Sequence, residues 1–234
     1  MDKYSGADMQ TVHLSNFEFD LHQRSVRLTI IAYATVCLII IMTAATFALA
    51  LLYTALLSGL ATLLYWIIRK SQVRYTLTAT HFQQHNFRGG WVVKWNNIRE
   101  ISQCTYDIDG WHQPLPWIGI RLKSYTPYLD SICPRIISEI LLSQRGLLYL
   151  GMKQHNAQMS EFEDIVLDPS LFKSEGGKVY SGLLAMLANR MRYQRNYHGY
   201  DLFISMSDLG IHGDELIGMA RRYIAAAEPD HPPQ

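Results

Sequence analysis

From Leu28 to Ile68 the chain carries no charged side chain, an apolar run bounded by Arg27 on one side and by Arg69 and Lys70 on the other. A helix rising 1.5 Å per residue needs roughly 20 apolar residues to cross a ~30 Å hydrocarbon core, so a run of about forty predicts two spans. The pattern puts the first over roughly 28–47 and the second over roughly 51–68, with neither Pro nor Gly to mark the turn. Ala55, Ser58, Gly59 and Thr62 recur at three- and four-residue spacing, a small-residue face that lets the two helices, or two copies of the chain, pack closely. Ahead of the run, residues 1–27 form a polar lead in which Phe17, Phe19 and Leu21 alternate with polar residues. That lead lies on a membrane surface, docks on the later domain or trails as a loosely ordered tail.

After Arg74 the period changes to two. Tyr75, Leu77 and Ala79 alternate with threonines, a second alternating piece runs near Phe82 to Phe87, and Arg88-Gly89-Gly90 gives a turn before Trp91 to Trp95. These predict an antiparallel meander. Asn96-Asn97 opens the next piece, anchored by Ile98 and Ile101 and extended to Tyr106. A loop is predicted from Asp107 to Pro116, then a strand over 117–122. Pro134 suits the first turn of a helix whose apolar face is Ile136, Ile137, Ile140 and Leu141, with Gly146 available to stop it. Residues 147–150 fit either a strand or another helical turn, and 154–177 read as a long polar loop. A second helix runs from about Val179 to Asn196, with Tyr180, Leu183, Leu184, Leu187 and Met191 on one face. A strand follows through Leu202, Ile204 and Met206, and then a last helix capped by Asp214 and ended by Pro229.

Charge orients this arrangement. Arg24 and Arg27 precede the first span, Arg69, Lys70 and Arg74 follow the second, and the tip between them is uncharged, so the positive-inside rule puts both ends in the cytoplasm. Tyr65 and Trp66 stand beside Arg69, where an interfacial aromatic belt belongs. No Asp, Glu, Lys, Arg or His lies inside the run, which argues against an ion path or a proton relay. A formal net charge of +1 supplies no overall field for nucleic acid. The cysteines Cys37, Cys104 and Cys133 are odd in number and lack metal spacing, which fits a reducing compartment without a disulfide framework. The run starts too far from the first residue, and is too long, for a cleaved signal peptide.

The order of a two-span hairpin, an immediate Tyr-x-Leu-Thr strand, a turn, a Gly-Trp-Val-Val-x-Trp strand and an Asn-x-Ile-x-x-Ile step resembles the small pleckstrin-homology-like barrels fused to membrane hairpins in bacteria. That likeness covers roughly Arg74 to Leu122 plus the C-terminus. Over nearly the whole chain, three stretches resemble an uncharacterised family of Gram-negative inner-membrane proteins known only as a domain of unknown function. They are Gly110-Trp111-His112-Gln113-Pro114-Leu115-Pro116-Trp117, Leu183-Leu184-Ala185-Met186-Leu187-Ala188-Asn189-Arg190 and Arg221-Arg222-Tyr223-Ile224-Ala225-Ala226-Ala227. The barrel resemblance implies a final strand followed by an amphipathic helix that plugs the barrel. The second carries no established activity.

Two groups of side chains invite chemistry. Arg190, Arg192 and Arg195, beside Tyr193 and Tyr197 near a helix end, form a basic patch suited to headgroup phosphates, or else complement the helix macrodipole and face water. Trp111, His112 and Trp117 make an aromatic loop that either meets a partner or membrane, or packs under the sheet. His81 and His85, four apart on a strand, stand about 13 Å apart, too far to share one metal ion. Asp107-x-Asp109-Gly110 lacks the rest of a calcium loop, and Gly176-Gly177-Lys178 lacks the upstream Gly and the Ser/Thr of a phosphate loop.

The expected fold is α+β: a lead over 1–27, a transmembrane helical hairpin over 28–68, and a cytoplasmic pleckstrin-like barrel domain with inserted helices over 71–228. A disordered tail is expected over 229–234. The few residues between Ile68 and the first strand leave no free tether, so that domain is expected close to the membrane. The expected function is a membrane-anchored, non-enzymatic module that binds a protein partner, itself or lipid headgroups, with no cofactor, no metal and no nucleic acid. A membrane-bound enzyme with Trp111, His112 and the arginines lining its site, and a bilayer-responsive sensor, are the alternatives.

Overall fold

The computed structural model describes residues 10–17, 24–108 and 110–227, so Phe19, Leu21, Asp109 and the expected tail lie outside the described residues. The chain divides into two compact units. One is Phe17–Gln72, and the other takes in the chain up to Asn16 and from Val73 onward.

Strand β1 (Val12–Ser15) belongs to the larger unit, although nothing in the polar lead predicts it. The smaller unit is the hairpin, α1 (Arg24–Thr43) and α2 (Phe47–Lys70). Its turn falls at residues 44–46, earlier than expected, because Thr46 caps α2: its hydroxyl accepts from the Leu49 amide at 3.4 Å. Both helices are long and apolar enough to cross a membrane, and only 6% of the most apolar stretch of each is buried. A core helix of a soluble domain would be covered. Val26, Tyr33, Cys37 and Ile40 on α1 and Ala50, Thr54, Leu57, Ser58 and Ala61 on α2 are the shielded positions. The Tyr33 hydroxyl meets the Ser58 hydroxyl at 2.6 Å. Arg69 and Lys70 lie over the rings of Tyr65 and Trp66, at 6.0 and 5.0 Å, and complement the C-terminal end of α2.

In the larger unit, β2 (Val73–Leu77), β3 (His81–Asn86) and β4 (Gly89–Lys94) form the expected antiparallel meander, with β1 added at the edge in the order β1-β2-β3-β4. Val12 faces Leu77 and Ser15 faces Arg74. A short 3-10 turn, Trp95–Asn97, leads to β5 (Ile98–Ile108), which pairs along its length with β6 (Trp111–Leu122). The loop expected over 107–116 is therefore the outer half of a β-hairpin. Pro114 and Pro116 misled the reading, because proline is tolerated beside a register irregularity such as the one between Gln103 and Thr105.

The chain then turns through α3 (Thr126–Ser131), α4 (Pro134–Ser143), α5 (Arg145–Gln154) and α6 (Phe162–Val166). Gly146 does not stop a helix and lies inside α5: α4 ends at Ser143, and the next residue, buried Gln144, turns its amide onto the Phe203 carbonyl at 3.2 Å. Residues 147–150 are helical. The stretch expected as one long loop, 154–177, holds α6 and β7 (Phe172–Lys173); β7 pairs in a tight ladder with β8 (Val179–Tyr180), so Val179 and Tyr180 are strand residues and the helix expected from Val179 begins after them. Helix α7 (Gly182–His198) ends at Gly199, whose φ of +80° is the left-handed cap conformation that glycine adopts without strain. Strand β9 (Leu202–Ser205) then pairs with β6, giving a second sheet, β5-β6-β9, and α8 (Gly213–Ala226) follows.

The architecture is thus α+β with antiparallel sheets, and among the described residues the sheets form no closed barrel. Closure would require the edge of one sheet to bond the edge of the other, whereas the two ladders stand separate. The main core lies among the sheets, α3, α4, α7 and α8. Fully buried Trp95 stacks on Phe82 at 5.5 Å and on Tyr223 of α8 at 5.1 Å, and its indole donates to the Thr78 carbonyl at 2.7 Å.

Trp95→Ala should destabilise the chain by ~3–5 kcal/mol, read as a lowered denaturation midpoint in detergent. Burial lowers the pKa of His198, which donates to the Leu147 carbonyl at 2.9 Å, from its ordinary 6.5; a neighbouring His155 lowers it further. The unfolded chain therefore takes up a proton first, so stability is full above pH 6.5 and falls as pH drops through the window below it. Denaturation midpoints of wild type and His198→Asn should diverge at pH 7.5 and converge toward pH 5.

Candidate functional site

The best-defined concave site is built around a carboxylate that the apolar pattern does not announce. Gly199 ends α7, and two residues later Asp201 enters β9 with 2% of its surface exposed. One oxygen accepts from the Leu122 amide and the other from the Tyr125 hydroxyl, each at 2.7 Å. Arg195 grips both oxygens, through Nε at 2.7 Å and Nη2 at 2.5 Å, and Nη2 also donates to the Leu122 carbonyl at 2.8 Å. The guanidinium lies 4.8 Å over the Tyr125 ring. Hydrogen bonding to Asp201 raises the Arg195 pKa, and burial, followed by Asp201 itself, raises that of the Tyr125 phenol. The end of β6, the start of α3 and the last turn of α7 are thereby held together.

Phe172 of β7 stacks on Tyr125 at 5.9 Å, which brings the β7–β8 ladder to the same place. That ladder is tied to α3 by Asp130, which accepts from Lys178 Nζ at 2.7 Å and from the Tyr180 hydroxyl at 2.9 Å; the lysine bond holds its carboxyl below the ordinary range. Between these walls opens a cleft of about 210 Å³, lined by residues 123–126, 172–175, Arg192 and Arg195. Lys123, Lys173 and Arg192 make no ion pair among the described residues. Ser174, 8% exposed, keeps its backbone bonded to Lys178, yet its hydroxyl is buried with no partner among the described residues. Such a group is costly unless something outside the chain meets it.

The three arginines of the expected patch are not brought together as one surface. Arg192 is exposed on the cleft and lies 5.5 Å from the centre of the Tyr193 ring, and Arg195 is the clamp just described. Arg190 is buried at 1% exposure, donates from Nη2 to the Val166 carbonyl, and leaves Nε and Nη1 without partners among the described residues; burial lowers its pKa to about 10. The aromatic group is also dispersed. Trp111 is 80% exposed at the outer end of the β5–β6 hairpin, His112 pairs with Asp107, and Trp117 packs with Leu115 and Tyr200 against a small cluster of Cys104, Leu147 and Phe203. None of these lines the cleft. In the hairpin, Ser58 faces α1, whereas Ala55, Gly59 and Thr62 are exposed.

Sequence reasoning missed Lys123, Phe172, Lys173, Ser174, Glu175 and Asp201. Only Asp201 left a trace, as an acid directly before a strand buried on both faces.

An α+β domain with a basic cleft, carried on a chain with two membrane-length apolar helices, is the class defined by fold and site. A family model described as a protein of unknown function, DUF2982, matches residues 75–226. The chain belongs to that family. No curated protein and no solved structure matches it.

Asp201→Asn leaves Arg195 without its counter-charge in a mostly buried setting and should cost ~3–5 kcal/mol. Glu175→Gln, on the exposed rim, should stay within ~0.5 kcal/mol of wild type. Denaturation of the two purified variants side by side checks both.

Proposed function

We propose that the chain is a membrane-anchored, non-enzymatic binding module, with α1 and α2 crossing a bacterial inner membrane and the larger unit on the cytoplasmic side. There the cleft holds an anionic group of a lipid headgroup or of a protein partner. The observation that carries this reading is the gathering of Lys123, Lys173 and Arg192, free of ion pairs among the described residues, around a cleft lined by the orphan Ser174 hydroxyl. Cations gathered around a concavity recruit counter-charge. Arg24, Arg27, Arg69, Lys70 and Arg74, all flanking the spans, support the cytoplasmic orientation. The terminal helix stacked through Tyr223 on Trp95 supports the pleckstrin-like relation in element order, with open sheets in place of a barrel.

The test is native mass spectrometry of the full chain released from detergent micelles, wild type against a Lys123→Gln/Lys173→Gln/Arg192→Gln variant. Wild type should retain an anionic species that the variant loses. Identical retention by both would refute the reading.

A further inference from the structure

We infer that the cleft is selective for a doubly charged phosphate monoester. The inference rests on the anion-binding reading above and narrows it. Four cations and one acid, Glu175, line the cleft; behind the lining Asp201 matches Arg195 oxygen for oxygen and Asp168 acts on Arg192, so the site keeps a net positive charge that attracts a dianion more strongly than a monoanion. A carboxylate or a phosphodiester supplies one negative charge; a phosphate monoester, whose second pKa is about 6, supplies nearly two at neutral pH.

The shapes of the donors agree with that count. Lys123 and Lys173 act as point charges approaching from two segments, and Arg192 adds a planar fork that matches two phosphate oxygens. Ser124, Thr126 and Ser174 supply hydroxyls on the same lining, and the Ser174 hydroxyl is buried without a partner. Asp168, outside the lining, accepts from the Ser170 amide at 3.0 Å and the Tyr193 hydroxyl at 3.0 Å, which keep it charged, so it tempers Arg192 and leaves Lys123 and Lys173 as the cations without a carboxylate partner among the described residues. The stacked Tyr125 and Phe172 rings give the esterified carbon an apolar wall. At about 210 Å³ the space falls below the ~300–1,000 Å³ of drug-sized pockets, which suits a compact phosphorylated head and not a large nucleotide.

The shared chemistry could come from a lipid headgroup or from free phosphate, and two arms separate them. Full-length protein in detergent is titrated with phosphatidic acid, a monoester, and with phosphatidylglycerol, a diester, with bound lipid counted by native mass spectrometry. In parallel, inorganic phosphate and acetate at pH 8 are titrated calorimetrically and as competitors of the lipid. Phosphatidic acid should bind at least ~10-fold tighter than phosphatidylglycerol, and phosphate tighter than acetate by a similar factor. The Lys123→Gln/Lys173→Gln/Arg192→Gln variant should erase both preferences while keeping the wild-type denaturation midpoint. Glu175→Gln should instead tighten phosphatidic acid ~3-fold or more, because it removes the opposing charge. Phosphate displacing the lipid assigns one site to both sources; tight lipid binding that phosphate does not displace assigns the headgroup. Equal affinity for monoester, diester and acetate, all lost in the triple variant, would overturn the dianion selectivity and leave the broader reading standing. Binding unchanged by the triple variant would overturn both.

Discussion

The pairing of residues 12–15 with 74–77 is the constraint on which the rest depends. It closes a loop that contains the whole apolar hairpin, so the hairpin is an insertion between two neighbouring strands of one sheet. At the point of closure the Asn16 amide donates to the Val73 carbonyl at 3.2 Å, and the Val73 amide donates to the Asn16 side chain at 3.0 Å. The entropy of closing such a loop grows only slowly with its length, so a short ladder can hold a long insertion. The ladder is itself anchored: the Tyr223 hydroxyl of α8 donates to the Gln10 carbonyl at 2.6 Å, and Tyr223 stacks on Trp95 at the centre of the core. For helices that cross a bilayer, this pairing requires the hairpin to begin and end on the same side.

Two arginine settings on the same helix, one half-buried and one buried, show how the interior distributes polar cost. Arg195 meets a carboxylate whose remaining lone pairs are satisfied by the Leu122 amide and the Tyr125 hydroxyl, the condition under which a buried pair holds its elements in place. Five residues earlier Arg190 has one carbonyl and no acid, and Gln194 on the next turn has its amide nitrogen unpartnered among the described residues. The first arrangement builds the cleft, because it fixes Tyr125 and the end of β6 relative to α7. The second leaves an unmet charge inside the helical layer, and it explains why counting arginines along α7 is a poor guide to its surface.

Periodicity carried much of the fold. The meander was legible because Tyr75, Leu77 and Phe82 alternate with polar neighbours and Gly89-Gly90 marks a turn before Trp91, and the apolar run was legible from its length alone. What was not legible came from long-range pairing. Val12 and Leu14 form a strand only because β2 offers an edge sixty residues away in the chain, and no local period reveals that. The outer half of β6 read as a loop because its two prolines outweigh a pairing register that only β5 can supply. The site was less legible than the fold. Arg192 and Arg195 fell in the expected patch, but Lys123, Lys173 and Ser174 come from segments whose neighbourhood is set by the Tyr125–Phe172 stack and the Asp201 clamp, both tertiary events.

The insertion of the hairpin between paired strands is tested most directly by placing single cysteines at Thr11 and Ser71, in a background with the native cysteines replaced. The two are then labelled in sealed, oriented membrane vesicles with a membrane-impermeant maleimide. Both positions should label from the cytoplasmic side and neither from the opposite side. Labelling of the two from opposite faces would contradict the pairing of β1 with β2 and the paired crossing that follows from it.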